Sequence, residues 1–309
     1  LRVVKAGCSS SGVVELERGY FGWKSAVHSR RPLIINACLT GMVPTKRDNP
    51  AVPMSPEEIA TDAAACAAEG ATIFHLHARD ENGLPTYKAE VYERVLNKVR
   101  EACPDAILCV STSGRNFKTF EERSEVLEIE GPARPEMASL TLGSLNFPRQ
   151  ASVNEPEMIT RLANRMRERG IVPELEVFDM GMVDFGKYLI EKQILTGPHY
   201  FNLLLGSLGT LSATPLHLAL LTNALPPGAT WAAAGIGRFQ FGMNALAIVT
   251  GGHVRVGLED NLYMDEGKQR PATNVALIRR LAGLAQAAGR AIASPSEARE
   301  MIGLPARTL

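Results

Sequence analysis

The sequence predicts an α/β protein, a single-domain (β/α)8 barrel of the TIM type, and three observations carry that reading. From Pro32 onward, short β-branched apolar runs alternate with longer helical patterns. About eight such units follow one another over roughly 260 residues with no break in composition, which suits a closed parallel barrel better than an open sheet with a second domain. Polar residues fall where a barrel keeps its chemistry, at the carboxyl ends of strands: His75, His77, Ser111, Glu176 and Glu259 all lie at or just past the end of an apolar run.

Taken in order, the first strand is expected at 33–37 and its helix at 56–69. Ser55-Pro56-Glu57-Glu58 supplies an N-cap serine, a proline at the first helical position and early carboxylates facing the positive end of the helix dipole. Gly70 is the stop. Strand 72–77 then leads to helix 87–101, strand 106–110 to helix 120–129, and strand 137–140 to helix 155–169. In the second half, strand 171–177 precedes helix 182–195, strand 200–205 precedes helix 215–223, strand 230–234 precedes helix 241–249, and strand 253–256 precedes helix 272–288. The barrel is thus assigned to 32–309 and residues 1–31 to an N-terminal extension, with Ser9-Ser10-Ser11-Gly12 as a flexible tract.

Composition narrows the partners. With 33 basic and 33 acidic residues the net charge is zero, so nothing electrostatic points to nucleic acid or an anionic membrane. A chain that is 45% hydrophobic and 21% charged is not a disordered one. No apolar run approaches the ~20 residues needed to cross a bilayer. The 5 cysteines are odd in number and contain no C-x-x-C pair, which argues against a disulfide framework or a cysteine zinc site and for a reducing, cytoplasmic setting.

His75-Leu76-His77 is the sharpest chemical signal. Residues i and i+2 of a strand share a face, so two imidazoles stand side by side at a strand terminus. They read either as two ligands of a divalent ion such as Zn²⁺, whose catalytic sites take three protein ligands and keep one position open, or as a hydrogen-bonded pair in the barrel interior. Closure of a barrel sets the last strand beside the first and so near the second, which brings Glu259 within reach as a third ligand. Glu259-Asp260-Asn261 also reads as a solvated turn. Arg255 on the last strand needs an anion if buried, and Asp260 is the nearest candidate. The glycine-bearing turns at Gly235-Ile236-Gly237 and Gly206-Ser207-Leu208-Gly209 lack Walker or Rossmann spacing and read as tight turns. Ser111-Thr112-Ser113 places hydroxyls at a third strand end without the G-x-S-x-G elbow of a serine hydrolase.

Beyond these local readings, a series of segments resembles the β-keto acid cleavage enzymes, whose best-known activity is 3-keto-5-aminohexanoate cleavage. They are PLIIN at 32–36, Thr40-Gly41, DNP at 48–50, SPEEIA at 55–60, HLH at 75–77, Ser111-Thr112, PEMA at 135–138, GSLNF at 143–147, VPELEV at 172–177, GIGR at 235–238 and TGGHVRVGLEDN at 250–261. The resemblance implies a zinc-dependent barrel, homotetrameric, that converts a β-keto acid and acetyl-CoA into acetoacetate and a new acyl-CoA. It implies His75, His77 and Glu259 as metal ligands, Arg255 and Asp260 as the pair that abstracts a proton, and Ser111 in the reaction site. Ser139 stands where the aminohexanoate branch has threonine, and Glu176 matches an acidic pocket residue. That branch also carries an acid in the first loop to pair with the substrate amine. Here the loop reads Thr40-Gly41-Met42-Val43, so an amine substrate is expected to be poor, with Arg79 or Arg115 available to an anionic one. Two other classes stay open from the residues alone: a metal-dependent barrel hydrolase or lyase, and a non-catalytic barrel that binds an acyl-CoA or metabolite.

Overall fold

The computed structural model describes residues 31–306; the expected extension, apart from Arg31, lies outside them, as do Cys8 and His28. Ten strands occur among the described residues: β1 (Ile35–Cys38), β2 (Ile73–Leu76), β3 (Ile107–Val110), β4 (Met137–Thr141), β5 (Leu145–Asn146), β6 (Ala151–Ser152), β7 (Val172–Val177), β8 (Tyr200–Leu205), β9 (Thr230–Gly235) and β10 (His253–Val256). Eight of them close a parallel barrel in the order β1-β10-β9-β8-β7-β4-β3-β2, while β5 and β6 form a small antiparallel pair. β1 is the closing strand, with Ile35 opposite Val254 on one side and Asn36 opposite Ile73 on the other. The helices are α1 (Pro56–Ala68), α2 (Ala89–Ala102), α3 (Phe120–Ser124), α4 (Pro156–Glu168), α5 (Met180–Glu191), α6 (Pro215–Ala224), α7 (Gln240–Thr250), α8 (Asn274–Ala287) and α9 (Pro295–Ile302).

Strand alternation divides the core in two. Phe74 and Leu76 of β2, Leu175 and Val177 of β7, and Val254 and Val256 of β10 face outward into the large apolar layer beneath the helices. Ile34, Ile73, Ile107, Met137 and Ala232 face inward and make a separate apolar floor, closed from below by Ala298 and Ile302 of α9. Above that floor the interior turns polar, with Asn36, His75, Glu174, Asn202 and Arg255 all buried. That change of character along the barrel axis puts the chemistry at the carboxyl ends of the strands.

Several elements differ from expectation. α9 was not anticipated, although Ser294 caps it and Glu297 completes a capping box in the same pattern that marks α1 through Ser55 and Glu58. The helix expected at 120–129 is helical only over Phe120–Ser124 and then tightens into two 3-10 turns, Glu125–Glu128 and Gly131–Ala133. α2 starts at Ala89 because Tyr87 packs edge-on against Phe117, ring centroids 5.0 Å apart, in place of joining the helix. The β5–β6 hairpin fills the connection after β4, its strands too short to carry a periodic signal.

Candidate active site

The site is assembled by three strands and one tight turn. Inward alternation on β2 sets His75 above Ile73, and His77 follows just past the strand. On β7 the same alternation aims Glu174 and Glu176 inward, and on β10 it aims Arg255. The chain then leaves β10 through Gly257, where an added Cβ would sit 2.1 Å from the Cys38 carbonyl oxygen, so a residue without a side chain lets the turn press against β1 and bring Glu259 and Asp260 back over the barrel.

Distances define two linked groups. His75 Nε2 and His77 Nε2 lie 3.2 Å apart, and the Glu259 carboxylate lies 3.3 Å from His77 Nε2 and 3.8 Å from His75 Nε2. Arg255, 2% exposed, donates from Nε to Asp260 at 2.9 Å and from Nη2 to Glu259 at 2.7 Å, and its Nη1 lies 3.3 Å from Glu176. One guanidinium therefore balances three carboxylates in a place where any of them alone would be costly to bury. The Cys38 thiol donates to the same Asp260 oxygen at 3.2 Å.

Glu174 is the residue that sequence reasoning missed. It lies at the barrel axis and accepts from Asn36 at 2.5 Å and Asn202 at 3.0 Å through one oxygen, while the other meets His75 Nδ1 at 2.7 Å. That contact puts the His75 proton on Nδ1 and turns the Nε2 lone pair toward His77 and Glu259. The signals were present: Glu174 alternates with Glu176, and Asn36 and Asn202 each interrupt an otherwise apolar strand.

Burial lowers His77 below its ordinary value and keeps it neutral. For His75, burial and Arg255 act downward, yet Glu174 and Glu259 outweigh them and the net shift is upward. Glu259 is held well below the carboxylate range: burial opposes ionisation, and Arg255, His77 and His75 overcome it. Glu176 is pushed up, chiefly by burial.

The donor set fits a divalent metal. Two imidazole nitrogens and a carboxylate converge with every candidate atom inside 4.8 Å of the others. Glu259 Oε2 is buried and has no hydrogen-bond partner among the described residues, an orphan that a cation at this point would satisfy. Two nitrogens and one oxygen are the ligand chemistry of catalytic zinc, and a cation on His75 Nε2 takes the place of a proton there.

These groups open into a cavity of about 620 Å³ whose lining includes Val43, His75, His77, Ser111, Arg115, Glu176, Arg255, Glu259 and Asp260. Of the residues singled out from sequence, Ser139 does not reach it: it is buried, and its hydroxyl receives the backbone N–H of Thr112 at 3.2 Å. Thr141, one inward position higher on β4, lines the cavity and donates to Glu176 at 2.6 Å. Arg79 is also spent elsewhere, donating to the carbonyls of Gly41 at 2.6 Å and Pro44 at 3.0 Å and so pinning the first loop. Val43 lies at the mouth and is 53% exposed.

Fold and site together define an enzyme-type barrel whose titratable groups meet at the carboxyl ends of its strands, with a donor set that fits a divalent metal beside a buried Arg–Asp pair. The chain belongs to the β-keto acid cleavage enzyme family, whose model matches residues 32–304. It is 42% identical over 273 residues to the 3-keto-5-aminohexanoate cleavage enzyme of Fusobacterium nucleatum, covering 88% of this chain and 98% of that protein. It is 36% identical to the 3-oxoadipate:acetyl-CoA acetyltransferase of Cupriavidus necator, covering 89% of this chain and 96% of that one. In fold it is similar to the apo structure of ObcA, with a TM-score of 0.71 at 21% identity over 82% of this chain and 66% of that one.

Proposed function

We infer that the chain is a carbon–carbon-cleaving acyltransferase that takes a β-keto acid and acetyl-CoA to acetoacetate and a new acyl-CoA. The observation that carries this reading is the Arg255–Asp260 pair beside His75, His77 and Glu259 in one cavity, within a chain of this family. The names borne by its relatives include acetyl-CoA as the second substrate. Family membership leaves no room for the hydrolase, lyase or binding-module alternatives. The catalytic unit is assigned to 32–309.

His75, His77 and Glu259 are proposed to hold Zn²⁺, which when bound supplies a Lewis acid for a ketone oxygen. Asp260 is the proposed base. Its Oδ2 is occupied by Arg255 and Cys38, and Oδ1 takes no hydrogen bond among the described residues, so that oxygen is free to receive a proton from the keto acid's methylene between ketone and carboxylate. The carbanion attacks the carbonyl carbon of acetyl-CoA and expels CoA thiolate, the thiolate adds to the old ketone carbon, and retro-Claisen cleavage breaks the bond between that carbon and its carboxymethyl neighbour, which takes back a proton from Asp260. The acyl group ends on CoA and the acetyl group ends in acetoacetate, so atoms balance without a redox partner. Arg255 holds Asp260, Glu259 and Glu176 in place through three hydrogen bonds, and Glu174 holds His75 in the orientation that leaves Nε2 facing His77 and Glu259 for the metal. Ser111, Val43, Glu176 and Arg115 are proposed to contact substrate, and Ser139 to support Thr112 behind them.

A homotetramer in a reducing cytoplasm completes the proposal. Its support is the four described cysteines, all free and buried, and an apolar face of α6 that stands exposed at Leu216 and Leu220. No described helix is long and apolar enough to cross a membrane. The test is a panel of β-keto acids with acetyl-CoA, read by acetoacetate release, alongside elemental analysis expected to give about one divalent ion per chain. No acetoacetate from any acid in metal-replete protein would sink the reading.

A further inference from the structure

Three arginines line the cavity, and they are not equivalent. Arg255 is saturated by carboxylates, and Arg149 stands exposed at the rim. Arg115 is half-buried inside. Its guanidinium lies flat on Phe147, 3.6 Å from the ring centroid, and Phe147 is braced edge-on by Phe178. Stacking fixes the plane of the fork and leaves its N–H edge to point elsewhere. Arg115 has no hydrogen bond or ion pair from its guanidinium among the described residues, and Nε is buried without a partner. A desolvated, oriented, unpaired cation is costly unless something else completes it. Arg115 lines the same cavity as Glu259, Glu176 and Asp260 and is near enough to feel their charge.

We propose that Arg115 recognises a second carboxylate on the β-keto acid, which makes a β-keto dicarboxylic acid the preferred substrate class of this site. The proposal rests on the acyl-transfer reading above. A planar, five-donor fork meets a carboxylate in two parallel hydrogen bonds, which suits a chain-terminal acid. The phosphates of CoA lie a full pantetheine arm from the thioester, too far for a group that feels the reaction-centre carboxylates. The same cation repels an ammonium group. Val43, being half open to water, imposes less desolvation on an amine than a buried valine would, so repulsion by Arg115 carries the discrimination against amino substrates.

The test compares 3-oxoadipate with 3-oxohexanoate, six-carbon acids that differ in their terminal group. Wild-type protein should favour 3-oxoadipate, and 3-keto-5-aminohexanoate should rank last. Arg115→Met should lower kcat/KM for 3-oxoadipate by about 100-fold or more and change 3-oxohexanoate by less than about 3-fold. Arg115→Lys, which keeps the charge and loses the fork, should recover only part of the loss. An equal fall for both acids would overturn the proposal, because Arg115 would then serve the carboxylate they share. A fall that disappears when acetyl-CoA is replaced by acetyl-N-acetylcysteamine, which has no phosphate, would overturn it in favour of CoA recognition. Calorimetric binding of the two acids to wild type and Arg115→Met keeps the question separate from turnover. If neither acid yields acetoacetate the acyl-transfer reading falls, and tighter binding of 3-oxoadipate that depends on Arg115 still decides this assignment.

Discussion

Glu259 and Asp260 are neighbours in sequence and share one arginine, yet they face different tasks: Glu259 turns to the imidazoles, and Asp260 stays with Arg255 and Cys38. Asp260→Asn separates a base from a buttress. As the base, its loss should cut turnover by about 100-fold or more, leave bound metal in place, and stop enzyme-catalysed exchange of the keto acid's C2 methylene protons with deuterated solvent. Persistent exchange in metal-saturated variant would remove Asp260 from that role. Glu174 makes the opposite prediction, since it touches His75 and does not line the cavity. Glu174→Gln should weaken metal binding by roughly 10- to 100-fold in chelator competition, with turnover largely restored by excess metal.

At the level of elements, the connections after the strands carry the precision. The loop after β1 passes Glu259 so closely that a Cβ on Gly41, at φ +68°, would lie 2.6 Å from Glu259 Cγ. Gly228, at φ +79°, has nothing within 4 Å. Both Gly→Ala variants incur the left-handed backbone penalty of about 1–2 kcal/mol. Gly41→Ala alone should also displace Glu259. We expect similar losses of thermal stability in the two, and a loss of metal content in Gly41→Ala only. Equal metal content would show that Glu259 has room to move.

For the whole molecule, α6 is apolar on both sides. Leu218 and Leu221 face the barrel, while Leu216 and Leu220 remain 65% and 46% exposed one turn apart. If this face joins copies of the chain, Leu216→Lys with Leu220→Lys should yield a smaller species in sedimentation velocity with unchanged circular dichroism, and a monomeric wild type would rule the tetramer out. Global stability should also depend on His253 at the amino end of β10. Burial, with help from Arg290 and Arg31, pulls its pKa down to about 3, and its Nδ1 accepts from the Ile34 backbone at 2.9 Å. The unfolded chain takes up a proton near pH 6.5 that the folded chain refuses, so this stability is complete above about pH 6.5 and falls toward pH 3 by at most ~1.4 kcal/mol per pH unit. Urea unfolding at pH 7 and pH 5 should show a smaller difference for His253→Asn than for wild type.

Local pattern was enough to read the eight strands, most of their helices and the barrel that joins them, because alternation and capping are properties of a few consecutive residues. It also exposed His75 and His77, two apart on one strand, and the adjacent Glu259 and Asp260. Closure through β1 then decided what no local pattern encodes. Glu174 meets His75 across 99 positions of sequence, and Glu176 meets Arg255 across 79. Arg79 and Arg115 are alike as letters, but packing ties one to the carbonyls of the first loop and lays the other on Phe147 inside the cavity. Ser139 and Thr141 share a face of β4, and only depth along the barrel axis separates the one that touches Thr112 from the one that lines the site. A sequence specifies which side of an element is buried; which partner waits there is set by the elements brought against it.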